Sequence, residues 1–132
     1  MEKYGIKIKG IVKCGDRFLI VKKWYDDRIE DPYQWEFLDT ELVDGETPEA
    51  TCLSYVYEST GIYTSISAMP YSWVYKLGDN RYLGLAFLCE VEDELVILSE
   101  DLYDYKWVKA DEIPEYIKNR GMLEDMRQAG VI

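Results

Sequence analysis

Polar and apolar residues alternate with period two from Tyr4 to Cys14, where Ile6, Ile8 and Val12 interleave with Lys7, Lys9 and Lys13 around a break at Gly10. That spacing predicts a half-buried strand. Arg17 to Lys23 is a compact aliphatic run ending in two lysines, and Gly15-Asp16 between the runs makes them a hairpin. Positions 24–33 are polar and end in Asp31-Pro32-Tyr33, which reads as a loop, and 35–38 as a short strand. A second short strand is expected around Leu42-Val43. Further along, 63–68, 71–77 and 82–91 are aromatic and aliphatic strand candidates, the last two joined by the hairpin signal Gly78-Asp79-Asn80. A final strand is expected over 103–108, and terminal helices over 111–119 and 122–129.

Between these strands the pattern changes to a helical one. Thr47 suits an N-cap, Pro48 the first helical position, Glu49 the positive helix end and Gly61 a left-handed stop, so a helix is predicted over Pro48–Thr60. Ala50, Leu53, Val56, Tyr57 and Thr60 form a stripe expected to pack on the sheet, and Tyr55, Glu58 and Ser59 share another face. The element order predicts an α/β (α+β) domain with a mixed sheet between helices.

The chain has 132 residues, which suits one domain, 1–132. Its net charge is −11, and between positions 26 and 58 eleven acids face the single base Arg28. Such a field disfavours nucleic acid, whose binding rests on basic contacts to phosphate. The simplest reading of the acidity is a solvated face. Cys14, Cys52 and Cys89 are far apart in apolar runs and read as reduced core thiols. With no histidine, any acid-base chemistry falls to carboxylates, lysine, tyrosine or a metal. No apolar run approaches a membrane span and no signal core opens the chain, so a cytoplasmic protein without membrane contact is expected.

The segment 45–62, GETPEATCLSYVYESTGI, resembles the signature of the Nudix hydrolases, G-x5-E-x7-R-E-U-x-E-E-x-G-U with U aliphatic. Without a gap the pattern runs over 40–62 and is matched by Glu46, Val56, Glu58, Gly61 and Ile62. Thr40 stands at the first glycine, Ser54 at the arginine, and Tyr55 and Ser59 at two of the three helix glutamates, so the box is degenerate. Trp35-Glu36-Phe37-Leu38, the opening hairpin, and Asp101, Asp104 and Trp107-Val108 also resemble family segments, although Leu38-Asp39-Thr40 replaces Pro-Gly-Gly. The resemblance implies a Nudix-type (MutT-like) α/β/α sandwich and metal-assisted hydrolysis of phosphoanhydrides in nucleoside diphosphate-linked compounds. Carboxylates at i, i+3 and i+4 would gather on one helix face to hold Mg2+ or Mn2+.

By that resemblance Glu58 and Glu46 are the catalytic candidates, Tyr55 and Ser59 mark the degenerate positions, and Glu58, Asp101 and Asp104 are metal candidates. Tyr33, Trp73 and Tyr75 are candidate ligand contacts, because aromatic faces stack on nucleobases, whereas sheet propensity explains most of the other tyrosines. Three readings follow. The first keeps nucleotide or metabolite binding with ordinary hydrolysis weak or lost. The second is an active hydrolase, using Mg2+ or Mn2+, with carboxylates relocated among Glu41, Glu46, Glu49, Glu58, Asp101 and Asp104. The third is a catalytically silent domain for homodimerisation or partner contact.

Overall fold

The computed structural model describes residues 3–24 and 34–132. Its sheet is built from β1 (Tyr4–Cys14), β2 (Arg17–Lys23), β3 (Trp35–Glu36), β4 (Leu38–Glu41), β5 (Ile66–Leu77), β6 (Asn80–Val91) and β7 (Leu102–Lys109). Helix α1 spans Pro48–Thr60, α2 Ile113–Tyr116 and α3 Arg120–Gln128. Strand β1 runs parallel to β6 from Tyr4↔Arg81 to Cys14↔Val91, and β5 pairs antiparallel on the far side of β6. Tyr33 lies outside the described residues.

The opening hairpin does not stay zipped. Strands β1 and β2 pair only at Lys13↔Phe18 and Cys14↔Arg17, beside the turn, and then diverge. In the split, β4 takes the edge of β1 from Gly10 to Lys7, while β3 takes the edge of β2 at Val21 and Lys22. Strand β7 covers the other edge of β2. The divergence gathers the ends of β2, β3 and β4.

Each face of the sheet carries its own core, as the period-two alternation requires. Ile8, Val12, Leu19, Val21, Phe87 and Cys89 pack with Cys52 and Val56 of α1. Ile11, Phe18, Ile20, Ala86 and Val108 pack on the opposite face with Ile113, Leu123 and Met126 of α2 and α3. All three cysteines are free, with Cys52 and Cys89 buried. Among the described residues no helix is long and apolar enough to cross a membrane.

The ends of α1 follow the local chemistry. Thr47 accepts a hydrogen bond from the Ala50 amide at 3.1 Å, and Gly61, at φ 72°, donates to the Tyr57 carbonyl at 2.8 Å. Its buried face is rotated from the expected stripe. Thr51, Cys52, Val56, Ser59 and Thr60 are buried, whereas Ala50 and Tyr57 are exposed. The cause is a close crossing over Gly10, where a Cβ would lie 3.1 Å from Val56 Cγ2 and 3.5 Å from Cys52 Sγ.

Three further expectations change. Segments 63–68 and 71–77 merge into the single strand β5, which absorbs Pro70 through register shifts between Ile66 and Tyr71. A sheet tolerates proline at such irregular positions. Leu42 and Val43 lie beyond the end of β4. The helix expected over 111–119 is a 3-10 turn at Ala110–Glu112 followed by the short α2, stopped where Ile117 becomes extended. Asn119 then caps α3 by accepting from the Met122 amide at 3.1 Å.

The cap at Thr47 is exposed to a direct test. Thr47→Ala should lower the unfolding free energy by about 1 kcal/mol in urea melts at neutral pH, while Thr47→Asp should retain most of it.

Candidate functional site

Three cross-strand rows shape a trough on the sheet face that α3 covers. One row runs Tyr71, Ala86, Lys9, Asp39; the next runs Trp73, Gly84, Lys7, Glu41; the third joins Tyr75 to Tyr82 and Gly5. The middle strand contributes only small residues to the first two rows, so the floor is low there. A Cβ on Gly84 would stand 2.2 Å from Trp73 Cε2, and one on Gly5 would stand 2.6 Å from the Tyr82 ring. The indole therefore lies directly on the backbone of β6. Tyr75 stacks on Tyr82 at 4.9 Å and 17°. Asn119, Gly121, Met122 and Asp125 close the other wall around a cavity of about 400 Å³.

Lys9 lines this trough and is 5% exposed. Its Nζ sits 4.4 Å from the centroid of Trp73, and among the described residues it has no hydrogen bond or ion pair. Burial lowers its pKa from 10.5 to about 8, against the opposing pull of Asp39, Glu36 and Asp125. Tyr71 shares its row. Its buried hydroxyl has no hydrogen-bond partner, and burial, with Asp125 adding, raises its pKa to about 12.

A second cluster lies where the strands diverge, and Asp39 belongs to both. Lys23 Nζ donates to Asp39 Oδ1 at 2.6 Å and lies 3.0 Å from Glu36 Oε1. Burial works against the Lys23 ammonium, but Asp39 and Glu36 outweigh it and hold its pKa above the ordinary lysine range. Glu36 is raised by burial and by Asp39, with Lys23 opposing; its Oε1 is buried and has no aligned hydrogen-bond donor. The α1 face borders this cluster. Tyr55 is raised by burial, while the Lys23 charge and a hydrogen bond with Ser59 oppose the shift.

The other expected residues are dispersed. Glu58 is exposed on α1, and Ser59 beside it in sequence is 4% exposed. Glu46 accepts from Thr51 Oγ1 at 3.1 Å, which ties it to the first turn of the helix, and Glu49 is exposed there. Glu41 pairs with Lys7 at 3.1 Å. Asp101 is exposed ahead of β7, and Asp104 accepts from the Tyr105 amide at 2.8 Å opposite Lys22. Trp73 and Tyr75 both line the trough.

No group of three acidic or thiol side chains among the described residues is placed to hold a metal ion. The carboxylates that do come together, Glu36 and Asp39, already enclose an ammonium. This donor set does not fit a magnesium ion, which takes near-octahedral oxygen coordination.

Lys9 makes stability depend on pH with a definite sign. Its folded pKa is about 8 and its ordinary value 10.5, so in that window the unfolded chain binds more protons and stability rises with pH. Below the window the full cost of the buried charge is present. Lys9→Met should therefore be more stable than the parent at pH 7, by about 1–3 kcal/mol, with the gap shrinking between pH 8 and 10.5. Urea melts of both proteins at each pH isolate the lysine from the thiols and phenols that titrate nearby. A gap independent of pH would contradict the assignment.

Comparison with known proteins matches this arrangement to a family. The structure superposes on the MutT protein of Methanosarcina mazei with a TM-score of 0.82 at 17% identity, covering 98% of this chain and 94% of that one. An Ap4A hydrolase of C. elegans gives 0.74 at 14% identity, covering 97% and 95%, and the dihydroneopterin triphosphate pyrophosphohydrolase of E. coli gives 0.76 at 16%, covering 96% and 97%. At such identities the likeness concerns the fold. No curated protein matches the sequence. The family model of the NUDIX domain matches residues 8–126, from β1 through nearly all of α3, and the chain therefore belongs to the Nudix family.

Proposed function

We propose that this Nudix domain binds a nucleotide or nucleoside diphosphate-linked metabolite in the trough, with Trp73 and Tyr75 in its wall, and that ordinary phosphoanhydride hydrolysis is weak or lost. The observation that carries the second half is chemical. At the helix positions where the signature has glutamates, Tyr55 and Ser59 present hydroxyls, and the nearby carboxylates Glu36 and Asp39 are both engaged by the one ammonium of Lys23. The first half is supported by the aromatic, partly polar cavity and by the named substrates of the structural neighbours, Ap4A and dihydroneopterin triphosphate.

Retention of Glu46 and Glu58 at their signature positions favours, as a second reading, a hydrolase with a rearranged ligand set. Titration calorimetry with magnesium and manganese separates the two. The first reading expects no stoichiometric binding of either ion below millimolar concentrations. Turnover of nucleoside diphosphate-linked compounds is expected to be at least about 10²-fold slower than in a family member with the complete box. Saturable metal binding that Glu58→Gln abolishes would establish the second reading.

Restoring the carboxylates provides a sharper test. Tyr55→Glu with Ser59→Glu places three acids on one helix face and buries one of them, so the variant should melt lower than the parent without metal. Because metal binds only the folded form, its melting temperature should climb more steeply with manganese than that of the parent. Equal metal-dependent shifts in both proteins would show that this face is not the cation site.

A further inference from the structure

Lys9 is the one buried lysine among the described residues. Lys7 and Lys23 pair with Glu41 at 3.1 Å and Asp39 at 2.6 Å, whereas Lys9 Nζ makes no ion pair there and rests 4.4 Å from the centroid of the Trp73 ring. An ammonium held in this way lowers stability, and a methionine of similar length would fill the place without that cost. A buried, unpaired amine beside a cavity is a group suited to chemistry more than to packing.

The burial that disfavours the ammonium leaves part of the population as free amine. With a pKa of about 8, Lys9 is neutral in about one molecule in ten at pH 7, against about one in 3,000 for a lysine at 10.5. A less basic amine is a weaker nucleophile, which removes part of that advantage but not all of it. The cavity of about 400 Å³ has room for one substituted ring. Gly84 lets the Trp73 indole lie on the backbone of β6 and gives such a ring a flat surface.

The ionisable groups around Lys9 determine which electrophile suits it. Asp39 on β4, Glu36 on β3 and Asp125 on α3 act on it as negative charges, while Tyr71 on β5, its pKa raised to about 12, is uncharged. Lys7 also lines the cavity but has its own counter-ion in Glu41. An acyl donor would turn Lys9 into a neutral amide and leave those carboxylates facing no charge. An aldehyde gives a protonated imine, which keeps the positive charge that the carboxylates and the indole face favour.

We propose that Lys9 is a nucleophilic amine that captures a planar aldehyde in the trough as a reversible imine. The amine lone pair forms a C–N bond to the carbonyl carbon while the carbonyl oxygen takes up a proton. The two amine hydrogens then leave with that oxygen as water and the C=N bond remains, so neither an oxidant nor a reductant takes part. This chemistry is separate from the nucleotide-binding reading above and does not rest on it.

Salicylaldehyde is the probe, with cyanoborohydride to reduce any imine to a stable secondary amine and peptide mapping by mass spectrometry to locate it. In the folded parent at pH 7, Lys9 should be labelled about tenfold faster or more than any other lysine. The α-amino group, whose ordinary pKa is also about 8, serves as the internal reference. The ratio of Lys9 to exposed lysines should fall between about pH 8 and 10.5, where the latter lose their protons in turn. Unfolding the parent in urea should erase the preference, and Lys9→Met should lose this label while its exposed lysines react as before. Burial acting only as a shield gives the opposite order, with Lys9 the slowest lysine. That order, a preference that survives unfolding, or a ratio independent of pH would overturn the proposal. Nucleotide binding, which involves no covalent bond, would stand in each of these cases.

Discussion

The parallel pairing of β1 with β6 is the constraint from which both candidate regions follow. It runs the full length of β1, so the register that sets Ile8 and Val12 toward α1 also sets Lys7, Lys9 and Ile11 toward α3. A one-residue slip would exchange the two faces. The same pairing holds Gly84 and Ala86 opposite Lys7 and Lys9, and so leaves a hollow between lysines on one side and aromatic rings on the other. With β1 committed to β6, its remaining edge is shared by β2 and β4, and the resulting divergence creates the Lys23 cluster.

What the sequence discloses about this fold is what short-range chemistry determines. The caps of α1 and the turns at Gly15 and Gly78 each depend on residues a few positions apart, and each is found as expected. Strand β1, whose alternation predicts a half-buried strand, is instead buried on both faces from Ile8 to Val12, because α1 covers one face and α3 the other. The rotated helix stripe was not legible, because it depends on the absence of a side chain at Gly10, some forty residues away in the chain. The merging of two strand segments across Pro70 likewise depends on β6, whose straight ladder carries the irregular strand along.

The site was harder to read for a related reason. Lys23, Glu36 and Asp39 come from three strands, and no local spacing connects them. The alternation in β1 puts Lys9 on the polar face of a strand expected to be half buried. A signal was present, since Ile11 has the same parity as Lys7 and Lys9 and is fully buried, which is inconsistent with that face being solvated throughout. The signature residues were easier to place than to interpret: the helix frame is kept, but Tyr55 and Ser59 turn the adjoining surface into a half-buried hydroxyl pair.

Asp39 gives the two regions a shared element. Its carboxylate is hydrogen-bonded to Lys23 and is also the strongest of the charges that pull on Lys9. Any occupant of the trough that draws Asp39 toward Lys9 weakens its hold on Lys23, and any event at Lys23 alters the field felt in the trough. Thermodynamic linkage makes these two effects equal in free energy. Asp39, which stands in the segment where the family signature begins, thus lies between the floor of the cavity and the cluster that borders α1.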